Sequence, residues 1–291
     1  MMKQFEIITD SGADLPLYLA QELDVSVLSL HFTIQGKEYA DRPDRRDMDP
    51  HELYELLRRG EMGKTSALNA NDYEEMMTPL LEEGKDVLVI AFSSGLSTTY
   101  QSSVIAVEEL REKYPERKIY TVDTLAASLG QGLLVWHACK QRAEGRSIEE
   151  VRDWLENNKL SLAHWFTVDD LNHLKRGGRV SAATALVGTM LSIKPVLHVD
   201  DEGHLINMSK ARGRTASLKA LVDKMEEDAI DPANQTVFIS HGDSEADARK
   251  VADMVKERFG AEVKVIDYVG PVIGCHAGPG VIALFYLGRK R

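Results

Sequence analysis

The sequence predicts an α/β protein made of two α/β domains. The first is a mainly parallel sheet with helices on both faces, and the second is a mixed sheet with helices. Three observations carry this expectation. Strand-like apolar runs alternate with helical runs through the first half, as a parallel sheet requires. The texture changes near residue 160, where a Gly-Gly break and a hairpin signal enter. The length of 291 residues is enough for two compact domains, placed at 1–160 and 161–291.

Phe5–Thr9 reads as a strand, and a helix starts near Pro16, since proline is favoured in a first turn. Val25–Ile34 and Lys37–Tyr39 read as strands around a turn at Gly36. His51–Arg58 is helical, Asp86–Phe92 is a buried strand, Thr99–Lys113 a helix and Lys118–Val122 the next strand. Helices follow at Ala126–Arg142 and Ser147–Asn157. In the second half Ala163–Val168 is a strand and Asp170–Leu174 a short helix, stopped by Arg176-Gly177-Gly178-Arg179. Val180–Leu191 is a helix of small apolar residues, and Pro195–Val199 pairs with Leu205–Ser209 around Asp201-Glu202-Gly203. Helix Thr215–Glu227, strand Thr236–Ser240, helix Glu245–Phe259 and strand Glu262–Asp267 come next. A Gly-rich loop then runs into the apolar end, Pro271–Leu287.

No apolar run reaches the roughly 20 residues that span a bilayer, and the opening MMKQFEIITD lacks the regions of a signal peptide, so the expected location is cytoplasmic. Cys139 and Cys275 are then expected to be reduced, and no Cys/His spacing suggests a metal site. The formal charge of −11 argues against nucleic-acid binding. It is uneven, however. The window Leu171–Ala220 is +5 and the remainder −16, which suits an anion or an acidic partner as well as a solvated basic face.

Three segments are candidates for chemistry. Ser93-Ser94-Gly95-Leu96-Ser97-Thr98-Thr99 follows an apolar strand and opens a helix, where free N–H groups and the dipole favour an anion. Simple capping needs one hydroxyl, and five of these seven residues carry one. Thr65-Ser66 lies in the turn after Gly63-Lys64 and, taken alone, reads as a helix cap. Gly270-Pro271-Val272-Ile273-Gly274-Cys275-His276-Ala277-Gly278-Pro279-Gly280 reads as a bent loop around one histidine. His276 can donate to an anion, act as a base or carry a phosphoryl group.

Together these segments resemble the DegV family, which includes the fatty-acid-binding subunits of bacterial fatty-acid kinase. Thr9-Asp10-Ser11 with Asp14-Leu15-Pro16 resembles the family's opening motif, and Val122-Asp123-Thr124 with Gln131-Gly132 its middle one. Val168-Asp169-Asp170-Leu171 through Leu174-Lys175-Arg176-Gly177-Gly178-Arg179-Val180-Ser181 is similar to the most specific stretch. Ile193-Lys194-Pro195 and Lys210-Ala211-Arg212-Gly213-Arg214 follow in order. Ala67-Leu68 replace the family's usual Gln-Pro, Thr98 stands where glycine is usual, and Arg42, Arg45 and Arg46 add charge.

The resemblance implies an acyl tunnel between the domains and a non-catalytic protein without cofactor, whose ligand is a long-chain fatty acid. It implies a carboxylate site at Thr65, Ser97 and His276, with Ser94 as a weaker member, and walls at Val180–Leu191 and Val281–Tyr286. It also implies a separate ATP-dependent kinase subunit as partner, a place in phospholipid synthesis, and compatibility with transient membrane contact. This chain has no G-x-x-x-x-G-K-[ST] segment of its own. Arg176, Arg179, Arg212 and Arg214 are the candidates for holding a product phosphate or facing the kinase. Two other readings stand beside this one. One is a phosphotransfer or small-ketone-binding protein attached through His276. The other is a serine hydrolase or thioesterase pairing Ser94 or Ser97 with His276, although Phe92-Ser93-Ser94-Gly95 is not a G-x-S-x-G elbow.

Overall fold

The computed structural model describes residues 5–181 and 192–289. The strands of the first half are β1 (Phe5–Asp10), β2 (Ser26–Leu28), β3 (His31–Ile34), β4 (Lys37–Ala40), β5 (Lys64–Ser66), β6 (Asp86–Ala91) and β7 (Ile119–Asp123). Between and after them run α1 (Leu17–Glu22), α2 (Pro50–Arg58), α3 (Ala70–Glu82), α4 (Thr99–Lys113), α5 (Leu129–Ala143) and α6 (Ile148–Asn158). The second half holds β8 (Leu162–Thr167), α7 (Asn172–Arg176), β9 (Ile193–Val199), β10 (Leu205–Arg212), α8 (Arg214–Asp228) and β11 (Thr236–His241). It closes with α9 (Glu245–Phe259), β12 (Glu262–Tyr268), α10 (Pro271–Ala277) and β13 (Ile282–Leu287).

A four-stranded parallel sheet runs β2-β1-β6-β7. Its central strands FEIITD and DVLVIA are apolar almost throughout because helices cover both faces. A six-stranded mixed sheet runs β10-β9-β8-β13-β11-β12, and a small antiparallel sheet runs β4-β3-β5. Alternation along β13 sorts the six-stranded sheet into two faces. Ile282, Leu284 and Tyr286 pack among Leu218, Leu221 and Val251 from α8 and α9. Ala283 and Phe285 join a different core with Leu129 and Leu133 of α5. No described helix is long and apolar enough to cross a membrane.

The mixed α/β architecture agrees with the expectation, and four local features differ. Val25–Ile34 is not one strand. The chain leaves the parallel sheet after Leu28 and enters the small sheet at His31, and Leu30 N–H donates to Ser11 Oγ (3.0 Å) at the crossing. Helix α3 has no counterpart among the sequence expectations. It is set by a capping box between Asn69 and Asp72 and tolerates Pro79 inside it. Thr65-Ser66 is not a helix cap in a turn but part of β5, with Thr65 opposite Phe32 of β3. The Gly-rich segment is not all loop. Pro271 occupies the first turn of α10, and Gly278, at φ 77°, ends it in a conformation that suits glycine. The expected helix Val180–Leu191 lies outside the described residues beyond Ser181. The proposed boundary near residue 160 falls between α6 and β8, while α10 packs back against α2, β3 and β5.

Candidate functional site

A cavity of about 500 Å³ lies between the carboxyl ends of the parallel sheet and the inner face of the six-stranded sheet. β1 connects outward to β2 on one side and β6 to β7 on the other. The crevice between β1 and β6 is therefore a switch point, the usual place for a ligand in an open α/β sheet. Its body is apolar, walled by Phe92, Leu96, Phe166, Leu174, Val281 and Phe285. Of the expected walls, Val281, Ala283 and Phe285 line it, in the two-residue period of β13.

One end is polar. Thr65 Oγ1 and His276 Nε2 are 2.8 Å apart, although 211 residues separate them in sequence. Pairing with β3 fixes Thr65, and α10 carries His276. Two glycines let these elements close. A side chain at Gly177 would strike the His276 ring, and one at Gly63 would strike Cys275 Sγ. Arg179 ties the halves together, its Nε donating to Leu96 O (3.3 Å) and its Nη1 to Gly177 O (2.5 Å). Burial first, then the charge of Arg179, pushes the His276 imidazole down to about 4, so it is neutral near pH 7. His276 Nδ1 has no hydrogen-bond partner among the described residues.

The SSGLS run divides by role. Ser93 is buried and donates to Gly203 O (3.0 Å), which pins the run to the β9–β10 turn. Ser94 and Ser97 line the cavity. Ser97 Oγ also accepts from Thr99 N–H (3.2 Å) and lies 2.9 Å from Thr99 Oγ1, so it serves the start of α4 as well. Thr65, Ser94, Ser97 and His276 thus line one cavity together with Arg179.

A second cavity of about 260 Å³ adjoins the first and is lined by Glu61, Lys64, His173, Arg176 and Cys275. Thr65, Arg179 and His276 line both, so they form the partition. Cys275 is pushed up to about 12 by burial and stays a neutral thiol. Arg176 Nη2 lies 3.2 Å from His173 Nδ1. The other two arginines are not brought to this place. Arg212 is exposed at the end of β10. Arg214 is held by Asp247 (2.8 Å) and lies 3.6 Å from Asp169. Sequence reasoning missed Ser128 and Ser240, which line the main cavity, and no local motif distinguishes them from ordinary turn and strand serines. Elsewhere His51, Glu55 and Asp243 bring ligand-type atoms within 4.8 Å of one another, but Asp243 is already bonded to Arg58 and to Tyr268.

Comparison with known proteins decides the relationship. The family model described as "Uncharacterised protein, DegV family" matches residues 4–289. The chain belongs to the DegV family. It is 47% identical to a DegV domain-containing protein of Clostridium perfringens over 290 residues, covering 100% of this chain and 99% of that one. Among solved structures it is similar to a DegV lipid binding protein from Thermotoga maritima, with 30% identity, a TM-score of 0.86 and 99% of each chain covered. It is also similar to a DegV family protein from Thermus thermophilus whose structure is described as fatty acid binding. There the identity is 31% and the TM-score 0.86, covering 98% of this chain and 99% of that one. In this DegV chain the shared fold surrounds a cavity whose polar end brings together segments from both halves of the sequence.

Proposed function

We propose that this chain binds a long-chain fatty acid, buries its acyl tail and presents its carboxylate to a separate ATP-dependent kinase for acyl-phosphate formation. The observation that carries the reading is the partition of Thr65, His276 and Arg179 between a mainly apolar cavity and a charged one lined by Glu61, Lys64 and Arg176. Each methylene moved from water into the larger cavity contributes about 0.8 kcal/mol. The half-buried Arg179 guanidinium, destabilised by desolvation, has carbonyl oxygens as its hydrogen-bond partners among the described residues, and a carboxylate would supply countercharge. With Nε2–H of His276 donating to Thr65 Oγ1, the threonine hydroxyl is free to donate to that carboxylate. The fatty-acid and lipid binding described for the Thermus and Thermotoga relatives supports the same ligand class here.

The smaller cavity fits the delivery step. Lys64, Arg176 and Arg179, with Glu61 as the one acid among the described lining residues, would offset the charge of a phosphoryl group joined to the carboxylate. Arg212 remains a candidate for contact with the kinase, whereas Arg214 is occupied by Asp247. Hydrolase chemistry fits less well. His276 faces Thr65 rather than Ser94 or Ser97, and among the described residues its second nitrogen has no orienting partner of the kind a triad needs.

Arg176→Glu tests the delivery step. The variant is expected to bind a fluorescent fatty acid within about threefold of wild type and to lose at least tenfold in acyl-phosphate formation with the kinase and ATP, because a charge-assisted contact is worth about 1.5–3 kcal/mol. Equal losses in both assays would place Arg176 in the carboxylate site, and unchanged turnover would leave it a solvated side chain.

A further inference from the structure

We propose that Ser128 and Ser240 form a hydroxyl-binding subsite within the acyl cavity, fitted to a fatty acid that carries a hydroxyl group along its chain. The inference rests on the fatty-acid reading of the cavity and adds a substrate class to it.

The first observation is backbone conformation. Ser128 sits between β7 and α5 with φ 56° and ψ −151°, a region that is essentially restricted to glycine. The surroundings enforce it. Ser128 N–H donates to Gly12 O (2.7 Å), and Ser128 O accepts from Gly132 N–H (3.1 Å). Glycine would occupy this position without strain, yet the chain places a hydroxyl there. Such an outlier at a ligand cavity points to use of the side chain.

The second observation is the placement of two hydroxyls in a wall whose other side chains, among the described residues, are apolar apart from His164. Ser128 Oγ and Ser240 Oγ are 2.9 Å apart, both residues are buried, and both line the acyl cavity. Ser240 faces inward because β11 alternates, with Val237 and Ile239 turned to the opposite core. Phe285 and Ala283 of the neighbouring strand complete the apolar surround.

Behind the pair, Asp14 Oδ2 lies 2.5 Å from Ser128 Oγ. Burial, then the nearby Asp41 charge, holds the Asp14 carboxyl well above the usual range. A protonated Asp14 donates to Ser128, Ser128 donates to Ser240, and the Ser240 proton is left for the cavity. An ionised Asp14 reverses the chain and leaves the Ser240 lone pairs for the cavity. In both states Ser240 can bond a ligand hydroxyl, and beside a plain methylene chain the ionised state is the one that leaves neither serine proton without an acceptor.

The test is equilibrium binding of stearate and a positional series of monohydroxystearates to wild type, Ser128→Gly and Ser240→Ala, with folding checked by circular dichroism. At least one isomer is expected to bind wild type as tightly as stearate or better. Each substitution should shift that isomer's affinity relative to stearate by about tenfold or more against the hydroxyl. Ser128→Gly removes the hydroxyl at a position that favours glycine, so loss of fold does not obscure its result. Two outcomes overturn the subsite while leaving the fatty-acid reading intact. Every isomer binds wild type about 5- to 150-fold more weakly than stearate, as a buried unpaired hydroxyl would, or the preference survives both substitutions. Failure of wild type to bind stearate at all would remove the fatty-acid reading itself.

Discussion

Ala283→Phe is expected to cut long-chain fatty-acid affinity by about 200-fold, because a ring in the cavity displaces roughly four methylenes at about 0.8 kcal/mol each. Ala283 is only 6% exposed, pairs with Phe166 and Ser240 on neighbouring strands and points into the acyl cavity. The opposite face of β13 carries Ile282 and Leu284 in a separate core, which the substitution leaves alone. A cavity of about 500 Å³ takes the ring, so the overpacking penalty of a filled core does not apply. Short acids should lose less than long ones. Titration with a series of chain lengths checks this, and equal affinity for long acids in the variant and wild type would place the tail elsewhere.

Thr65→Ala is expected to weaken acid binding by about 10- to 150-fold, since a hydrogen bond to a charged group is worth about 1.5–3 kcal/mol, and His276→Ala by less, because His276 orients the Thr65 hydroxyl rather than bonding the carboxylate itself. The double variant should lose less than the product of the single losses, because the two side chains are bonded to each other and serve one carboxylate. A fatty alcohol of equal length should be affected less than the acid in every variant. Parallel titrations of acid and alcohol decide the point. Losses of equal size for both ligands would mean that the pair supports the fold of the cavity rather than the head group.

The alternation of β1 and β6 with their helices was legible because buried parallel strands are continuous apolar runs, and α6 was marked by its capping box at Ser147 and Glu150. β5 was not, since three residues of a small antiparallel sheet carry no periodicity and are defined by their partner β3. Helix α10 was hidden by its glycines, which serve close packing: Gly274 lies against the Tyr54 ring and leaves no room for a side chain. The site residues were reached through motif resemblance, and their convergence was not readable from spacing. Thr65 and His276 meet only because α10 returns to the small sheet. The basic window misled for a related reason. Charge counts along the chain do not reveal that Asp247, 33 residues further on, holds Arg214. Ser128 had no sequence signal at all, because a glycine-type backbone angle at a serine is a property of the folded loop.

Mass spectrometry of the organic extract of the purified, undenatured protein tests the central claim most directly. A tail buried in the cavity dissociates slowly, as affinity is expressed mainly in the off-rate. The account predicts a long-chain fatty acid in close to equimolar amount with wild type and a marked depletion of long chains in Ala283→Phe. A wild-type extract free of fatty acid, from protein that also fails to take up added long-chain acid, would contradict it.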